Sequence, residues 1–308
     1  MANVFITGGG GFLADHLARA LLKDGHRVSL LSRQRRPRGM LAGARAVRGD
    51  LLLSKRPIVP ASTDIVFHLA ARASVTESFA DPPGTVEVNA MGTARLLEEI
   101  RTRGIGVERF VLPSTALVYG PPFRRAIAED HPVRPRNPYA ASKMAAECCA
   151  LAYDSLYDVP VSVLRLFNVY GPGQRPQYVI PTVLSQCLWS RELKIGNPWP
   201  FRDFVYVDDA VRLFRAAASR RRARGEILNV ASGKGTRIDA MVRVALRVTG
   251  ANLKPRSEAA RRRRGDFDRL VGDIGKARRL VGWSPKVSLE DGLARTASFL
   301  RTQGPPRP

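Results

Sequence analysis

The sequence predicts an α/β protein: a doubly wound parallel sheet with helices on both faces, then a smaller C-terminal α+β domain. Three observations predict it. Apolar runs of strand length alternate with helical stretches through the first half, the pattern of a parallel sheet covered on both sides. The first run opens directly into four glycines and a helix. Beyond residue 170 the alternation weakens and proline becomes frequent, at Pro172, Pro176, Pro181, Pro198 and Pro200. A chain of 308 residues is long enough for one large core or two smaller ones.

Taken in order, strands are expected at 3–7, 27–31, 64–69, 109–113 and 161–166, with helices near 12–24, 84–103 and 138–156. Residues 1–169 then form the sheet domain and 170–303 mostly the second domain, with some segments able to return to the first. The tail 304–308, Gly-Pro-Pro-Arg-Pro, is expected to fray. The chain enters a strand at once with no basic-then-apolar leader, and no apolar run approaches bilayer length. Cys148, Cys149 and Cys187 are odd in number and lack metal-ligand spacing, so reduced thiols in a cytoplasmic protein are the simple reading. The four scattered histidines argue against a metal site.

Charge stands apart: 50 Lys+Arg against 27 Asp+Glu, a net of +23. Arginine runs fall at 33–38, 220–222 and 261–264. Such a balance favours anionic partners. A solvated arginine-rich surface, steering of a phosphorylated substrate and nucleic-acid binding all fit it. No RNA-binding signature with interleaved aromatics accompanies the runs, which disfavours nucleic acid.

Asn3-Val4-Phe5-Ile6-Thr7 leads into Gly8-Gly9-Gly10-Gly11 and then Phe12-Leu13-Ala14. After a strand, glycines allow a sharp turn and let a pyrophosphate approach backbone N–H groups at a helix start, where the dipole favours negative charge. Gly8, Gly11, Phe12 and Leu13 are thus candidates for a dinucleotide site of Rossmann type. The second strand ends in Ser32-Arg33 rather than an acid that would hold the adenosine ribose. That favours NADP(H), while NAD(H) remains compatible if Arg33 is only a surface residue. Asp50, followed by Leu51, is placed to accept from the adenine amino group or simply to close a turn.

Asn137-Pro138 reads as a helix cap and first turn, which sets Tyr139 and Lys143 four apart on one face. A free tyrosine titrates near 10 and is a poor base at neutral pH. A neighbouring ammonium and an oxidised nicotinamide both favour the phenolate. The bland alternative is a helix-start aromatic and a surface lysine.

Together with these, Phe67-His68-Leu69-Ala70-Ala71, Ser114-Thr115-Ala116-Leu117-Val118-Tyr119-Gly120, Arg165-Leu166-Phe167-Asn168, Arg202-Asp203-Phe204 and Asn229-Val230-Ala231-Ser232-Gly233 occur in order along nearly the whole chain. The set resembles the extended short-chain dehydrogenases acting on nucleotide sugars. The resemblance implies that Thr115 hydrogen-bonds the reacting sugar oxygen, Tyr139 is the acid/base, and Lys143 holds the nicotinamide ribose. It implies that Leu69, Ala70, Ala71 and Asn89 lie beside the cofactor, with Asn168, Arg202 and Arg263 on the substrate diphosphate. It also implies a homodimer through the helices near 84–103 and 138–156, which intrachain packing would cover equally well. Sugar 4,6-dehydratases of the family carry Asp-Glu after the catalytic threonine; here Ala116-Leu117 stand there, so dehydration is disfavoured. The leading expectation is a nucleoside-diphosphate-hexose 4-epimerase. An NADPH-dependent 4-keto-6-deoxysugar reductase is the alternative, supported by Ser32-Arg33, and a non-catalytic nucleic-acid-binding protein on the same fold is a remote one.

Overall fold

The computed structural model describes residues 1–33, 41–259 and 267–305. Its main sheet is built first from β1 (Asn3–Thr7), β2 (Arg27–Ser32), β3 (Arg45–Arg48), β4 (Ile65–His68), β5 (Arg109–Thr115) and β6 (Val161–Leu166). Then follow β7 (Asn168–Tyr170), β8 (Leu193–Ile195), β9 (Phe201–Tyr206), β10 (Glu226–Val230), β11 (Gly235–Arg237), β12 (Pro255–Ser257) and β13 (Arg269–Leu270). The seven-stranded sheet has the order β10-β6-β5-β4-β1-β2-β3, and every pairing in it is parallel. Its central strands are buried on both faces, which explains their nearly unbroken apolar sequences.

The helices of the amino-terminal half are α1 (Phe12–Lys23), α2 (Val75–Ala80), α3 (Pro82–Val86), α4 (Gly92–Thr102) and α5 (Pro138–Tyr157). In the rest of the chain are α6 (Val179–Trp189), α7 (Val207–Ser219), α8 (Ile238–Thr249), α9 (Gly275–Val281) and α10 (Leu289–Gln303). The single helix expected over 84–103 is divided. A π-helical turn at Glu87–Met91 separates α3 from α4 and places Asn89 inward, 1% exposed. A π-helical turn is a rare single-turn feature inside a helix, and the sequence reading did not allow for one here. The four-residue strand β3 also lies in a stretch where no strand was expected.

Strand order reverses direction between β1 and β4, so the carboxyl edge there forms the crevice where open sheets bind ligands. A second sheet, β11-β9-β13 with β7 on β9, stands beyond that edge. The carboxyl half also returns to the first sheet: β10 pairs with β6, and α7 packs under β5 and β6. Among the described residues no helix is long and apolar enough to cross a membrane.

Candidate active site

The glycine turn fits a dinucleotide through its shape. Gly8 has φ +78°, and a Cβ there would lie 2.8 Å from the Ala70 nitrogen, so the backbone of Leu69-Ala70 packs directly on it. Gly9 N–H donates to Leu31 O at 3.0 Å, tying the turn to the end of β2. Gly11 caps α1 without any side-chain hydrogen bond, which leaves that helix start open to an anion. Gly8, Gly11, Phe12, Leu13, Leu69, Ala70 and Ala71 therefore meet at one end of the sheet.

A chain of buried hydrogen bonds continues from this turn. Ala70 N–H donates to Thr7 Oγ1 at 3.0 Å, and Thr7 pairs with His68 Nδ1 at 2.7 Å. His68 Nε2 lies 3.0 Å from Thr93 Oγ1, whose hydroxyl donates to Asn89 O at 2.6 Å. Since Thr93 gives its proton to a carbonyl, it must accept from His68 Nε2–H. His68 Nδ1 then accepts from the Thr7 hydroxyl, and the ring is a neutral tautomer of one kind. Complete burial, helped by the Lys143 charge, lowers the His68 pKa to about 3. Asn89 in turn grips Arg72 on both backbone groups, at 2.8 and 3.0 Å, and donates to Ser142 Oγ at 2.9 Å. Ser142 donates to the Tyr139 carbonyl at 2.8 Å. The glycine turn and the start of α5 are thus joined by hydrogen-bonded buried groups.

On α5, Asn137 Oδ1 accepts from Ala140 N–H at 2.8 Å with Pro138 in the first turn. Tyr139 is half-buried beside Thr115, which ends β5 and accepts from Leu117 N–H at 3.2 Å. Burial raises the Tyr139 phenol well above its ordinary range, Tyr178 adds to this, and Thr115 opposes it. The lowering expected from the sequence is therefore no property of the polypeptide, in which desolvation of the phenolate wins. Lys143 is 4% exposed. Burial lowers its pKa to about 8 against the opposing charge of Glu147. The hydroxyl of Ser114, next to Thr115, is buried without a protein partner among the described residues.

The substrate candidates lie on the second sheet. Asn168 on β7 donates to Asp203 O at 3.0 Å, and Arg202 on β9 is 8% exposed with Nη1 on Phe201 O at 2.8 Å. Asp203 organises this wall: it accepts from Ser232 N–H and Oγ–H, both at 2.6 Å, Gly233 N–H at 3.0 Å and Gly272 N–H at 3.2 Å. Burial nonetheless pushes its carboxyl up to about 6. Arg263 falls in residues 260–266, outside those described.

Beyond the carboxyl end of β3, Asp50 closes its own turn, Oδ1 accepting from Leu52 N–H at 2.8 Å and Leu53 N–H at 3.2 Å. Leu51 packs beside Gly92. Ser32 ends β2, Arg33 is exposed, and Arg48 is the register partner of Ser32 across β3. Neither Arg48 nor Thr7, His68, Thr93, Glu147, Arg165 and Asp203 was singled out by role from the sequence. Most sit inside motifs already noted, but their significance depends on contacts between distant segments.

A glycine turn on β1, a Thr–Tyr–Lys constellation and a second sheet beyond the switch point define an extended short-chain dehydrogenase/reductase. The chain belongs to the family described as GDP-mannose 4,6 dehydratase, whose profile matches residues 5–296. The UDP-glucose 4-epimerase of Mycolicibacterium smegmatis is 35% identical over 98% of this chain and 99% of its own. The GDP-6-deoxy-D-mannose reductase of Pseudomonas aeruginosa is 31% identical over 94% of each. Among solved structures, a UDP-glucose 4-epimerase from Thermotoga maritima with UDP-glucose superposes with a TM-score of 0.89 at 28% identity, covering 98% of this chain and 99% of that one. MoeE5 with UDP-glucuronic acid and NAD gives 0.88 at 31%, covering 98% and 99%. The Pseudomonas aeruginosa RMD with NADPH gives 0.86 at 30%, covering 99% and 100%.

Proposed function

We propose that this enzyme is an NAD(P)-dependent nucleoside-diphosphate-hexose 4-epimerase working through a transient 4-keto sugar. The observation that carries the reading is the approach of Tyr139, in the first turn of α5, to Thr115, the last residue of β5 at the carboxyl edge of the sheet. A bound nicotinamide supplies the acceptor and donor of one hydride. Thr115 would hold the sugar O4, and Tyr139, as the phenolate that the Lys143 ammonium and an oxidised nicotinamide favour, would take the O4 proton as hydride leaves C4. Lys143, on the next turn of α5, offers its ammonium to the cofactor ribose and to the developing phenolate. Asn168 and Arg202 fix the diphosphate, the latter by its planar fork of donors, so that the 4-keto sugar can turn about that anchor. Tyr139 returns its proton to O4 when the opposite face is reduced. Ala116 is buried and Leu117 half-buried where a dehydratase would need acids, so elimination lacks its proton carriers. Similar enzymes act on UDP-glucose and bind UDP-glucose or UDP-glucuronic acid, which supports a UDP-hexose. Exposed Val86, Met91, Leu156 and Tyr157 on the helices around α4 and α5 support a homodimer through that face.

One observation favours a second reading, the NADPH-dependent 4-keto-6-deoxysugar reductase. Arg48, in register with Ser32, adds a second cation beside Arg33 where a 2′-phosphate would lie. Denaturing the purified protein and assaying the released dinucleotide separates the two. Stoichiometric tightly held cofactor is expected for the epimerase. An empty protein that binds NADPH far better than NADH would overturn it in favour of the reductase.

A further inference from the structure

Tyr139 and Lys143 are followed one turn later on α5 by Glu147, which continues their stripe at the same spacing. Glu147 is 0% exposed, and its partner Arg165 on β6 is 3% exposed. The guanidinium meets the carboxylate through Nη2 at 2.7 Å and through Nε at 3.2 Å to each oxygen. Its other face covers the Tyr119 ring, 4.6 Å from the centroid. Tyr119 donates its hydroxyl to Asn229 Oδ1 at 2.7 Å and closes the short turn that follows Thr115. One ion pair thus joins the helix of Tyr139 and Lys143 to the segment after Thr115.

Burying two charges costs several kcal/mol per ion, and an apolar pair of similar volume often serves stability as well or better. An ion pair here therefore calls for a reason other than stability. The charged and titratable groups around Lys143 supply one. Tyr139 and Glu147 share its helix, His68 faces it from β4, Arg165 stands behind Glu147 on β6, and Tyr119 lies beyond Arg165. His68 is neutral and Tyr139 is held as the phenol, so Glu147 is the negative charge acting on Lys143.

We propose that Glu147 and Arg165 are positioning residues for the reaction: Glu147 supports the charged form of Lys143 from the next turn of α5, and Arg165 holds the Glu147 carboxylate in place. This rests on the roles given above to Tyr139 and Lys143. Without the carboxylate, burial alone acts on Lys143, and the ammonium that supports the Tyr139 phenolate is lost at lower pH.

The test follows Lys143 directly. The sequence has only eight lysines, so protein labelled with carbon-13 at lysine Cε can be titrated by NMR, with Lys143→Met to assign the signal. Glu147→Gln removes the charge but leaves Arg165 buried and unpaired, a change that can unfold the chain. Glu147→Gln with Arg165→Met removes both charges and keeps the fold testable. In the folded double variant the Lys143 midpoint is expected to fall by about one pH unit, a tenfold loss of proton affinity. The alkaline limb of kcat moves down with it while KM for the nucleotide sugar stays within about twofold. A wild-type midpoint in that variant would overturn the proposal and leave the pair a purely structural one. A lowered midpoint in an enzyme with no nucleotide-sugar turnover in the wild type would instead sink the functional reading and leave the charge coupling standing.

Discussion

His68 shows how a single side chain records its surroundings in a measurable way. Its folded pKa is about 3, against an ordinary value of 6.5, because burial excludes the charged ring. Between those values the unfolded chain binds the proton and the folded chain does not. Its contribution to stability is therefore complete above pH 6.5 and is lost as pH falls toward 3. The expected slope from this residue is up to ~1.4 kcal/mol per pH unit in that window. Urea unfolding at several pH values checks it, and His68→Gln should flatten that part of the curve; an unchanged slope in the variant would assign the protons elsewhere. His68 stood in plain view within Phe67-His68-Leu69-Ala70-Ala71, yet its partners Thr7 and Thr93 lie 61 and 25 positions away. Tyr139 and Lys143 were legible because their relation is local, one helical turn after an Asn-Pro start. Glu147 extends the same stripe, but only the meeting of α5 with β6 brings Arg165 to it.

Elements with strong local signals were readable from the chain: β1 with its glycine turn, α1, α5 with its cap, and the central strands. Those whose cause is tertiary were not. The π-helical turn exists where Asn89 binds Arg72 and Ser142, and β3 is a short edge strand defined by pairing with β2. The glycine turn shows what a local signal stands for. Gly8 combines a positive φ with backbone contact from Ala70, two demands that only glycine meets. Gly8→Ala is expected to cost about 1–3 kcal/mol through strain and displacement of that neighbour, and to weaken dinucleotide binding at least about tenfold, since 1.4 kcal/mol of lost contact is a factor of ten. Thermal unfolding with and without added cofactor measures both, and wild-type affinity in the variant would mean that Gly8 does not shape the cradle.

At the scale of the molecule, Thr115, Tyr139 and Lys143 belong to the first sheet and a helix that packs on it, and Asn168 and Arg202 to the second sheet. The chain passes between the two sheets more than once, since β10 rejoins the first sheet after β7 and β9, and before β11 and β13, of the second. That return was only allowed for in the sequence reading, because five residues of strand carry no mark of which sheet they join. The net charge of +23 belongs to this scale too, as a field favouring anionic partners. The proposed epimerase inverts a sugar at C4 in this crevice with no net use of cofactor. A panel of UDP-, dTDP- and GDP-hexoses, each incubated with catalytic nicotinamide dinucleotide and followed by proton NMR, tests it most directly. The account predicts that one UDP-hexose reaches equilibrium with its C4 epimer without net change in reduced nicotinamide, and that Tyr139→Phe slows this by ~10²–10⁴. No epimer from any member of the panel, together with stoichiometric oxidation of NADPH on a 4-keto-6-deoxysugar nucleotide, would contradict it.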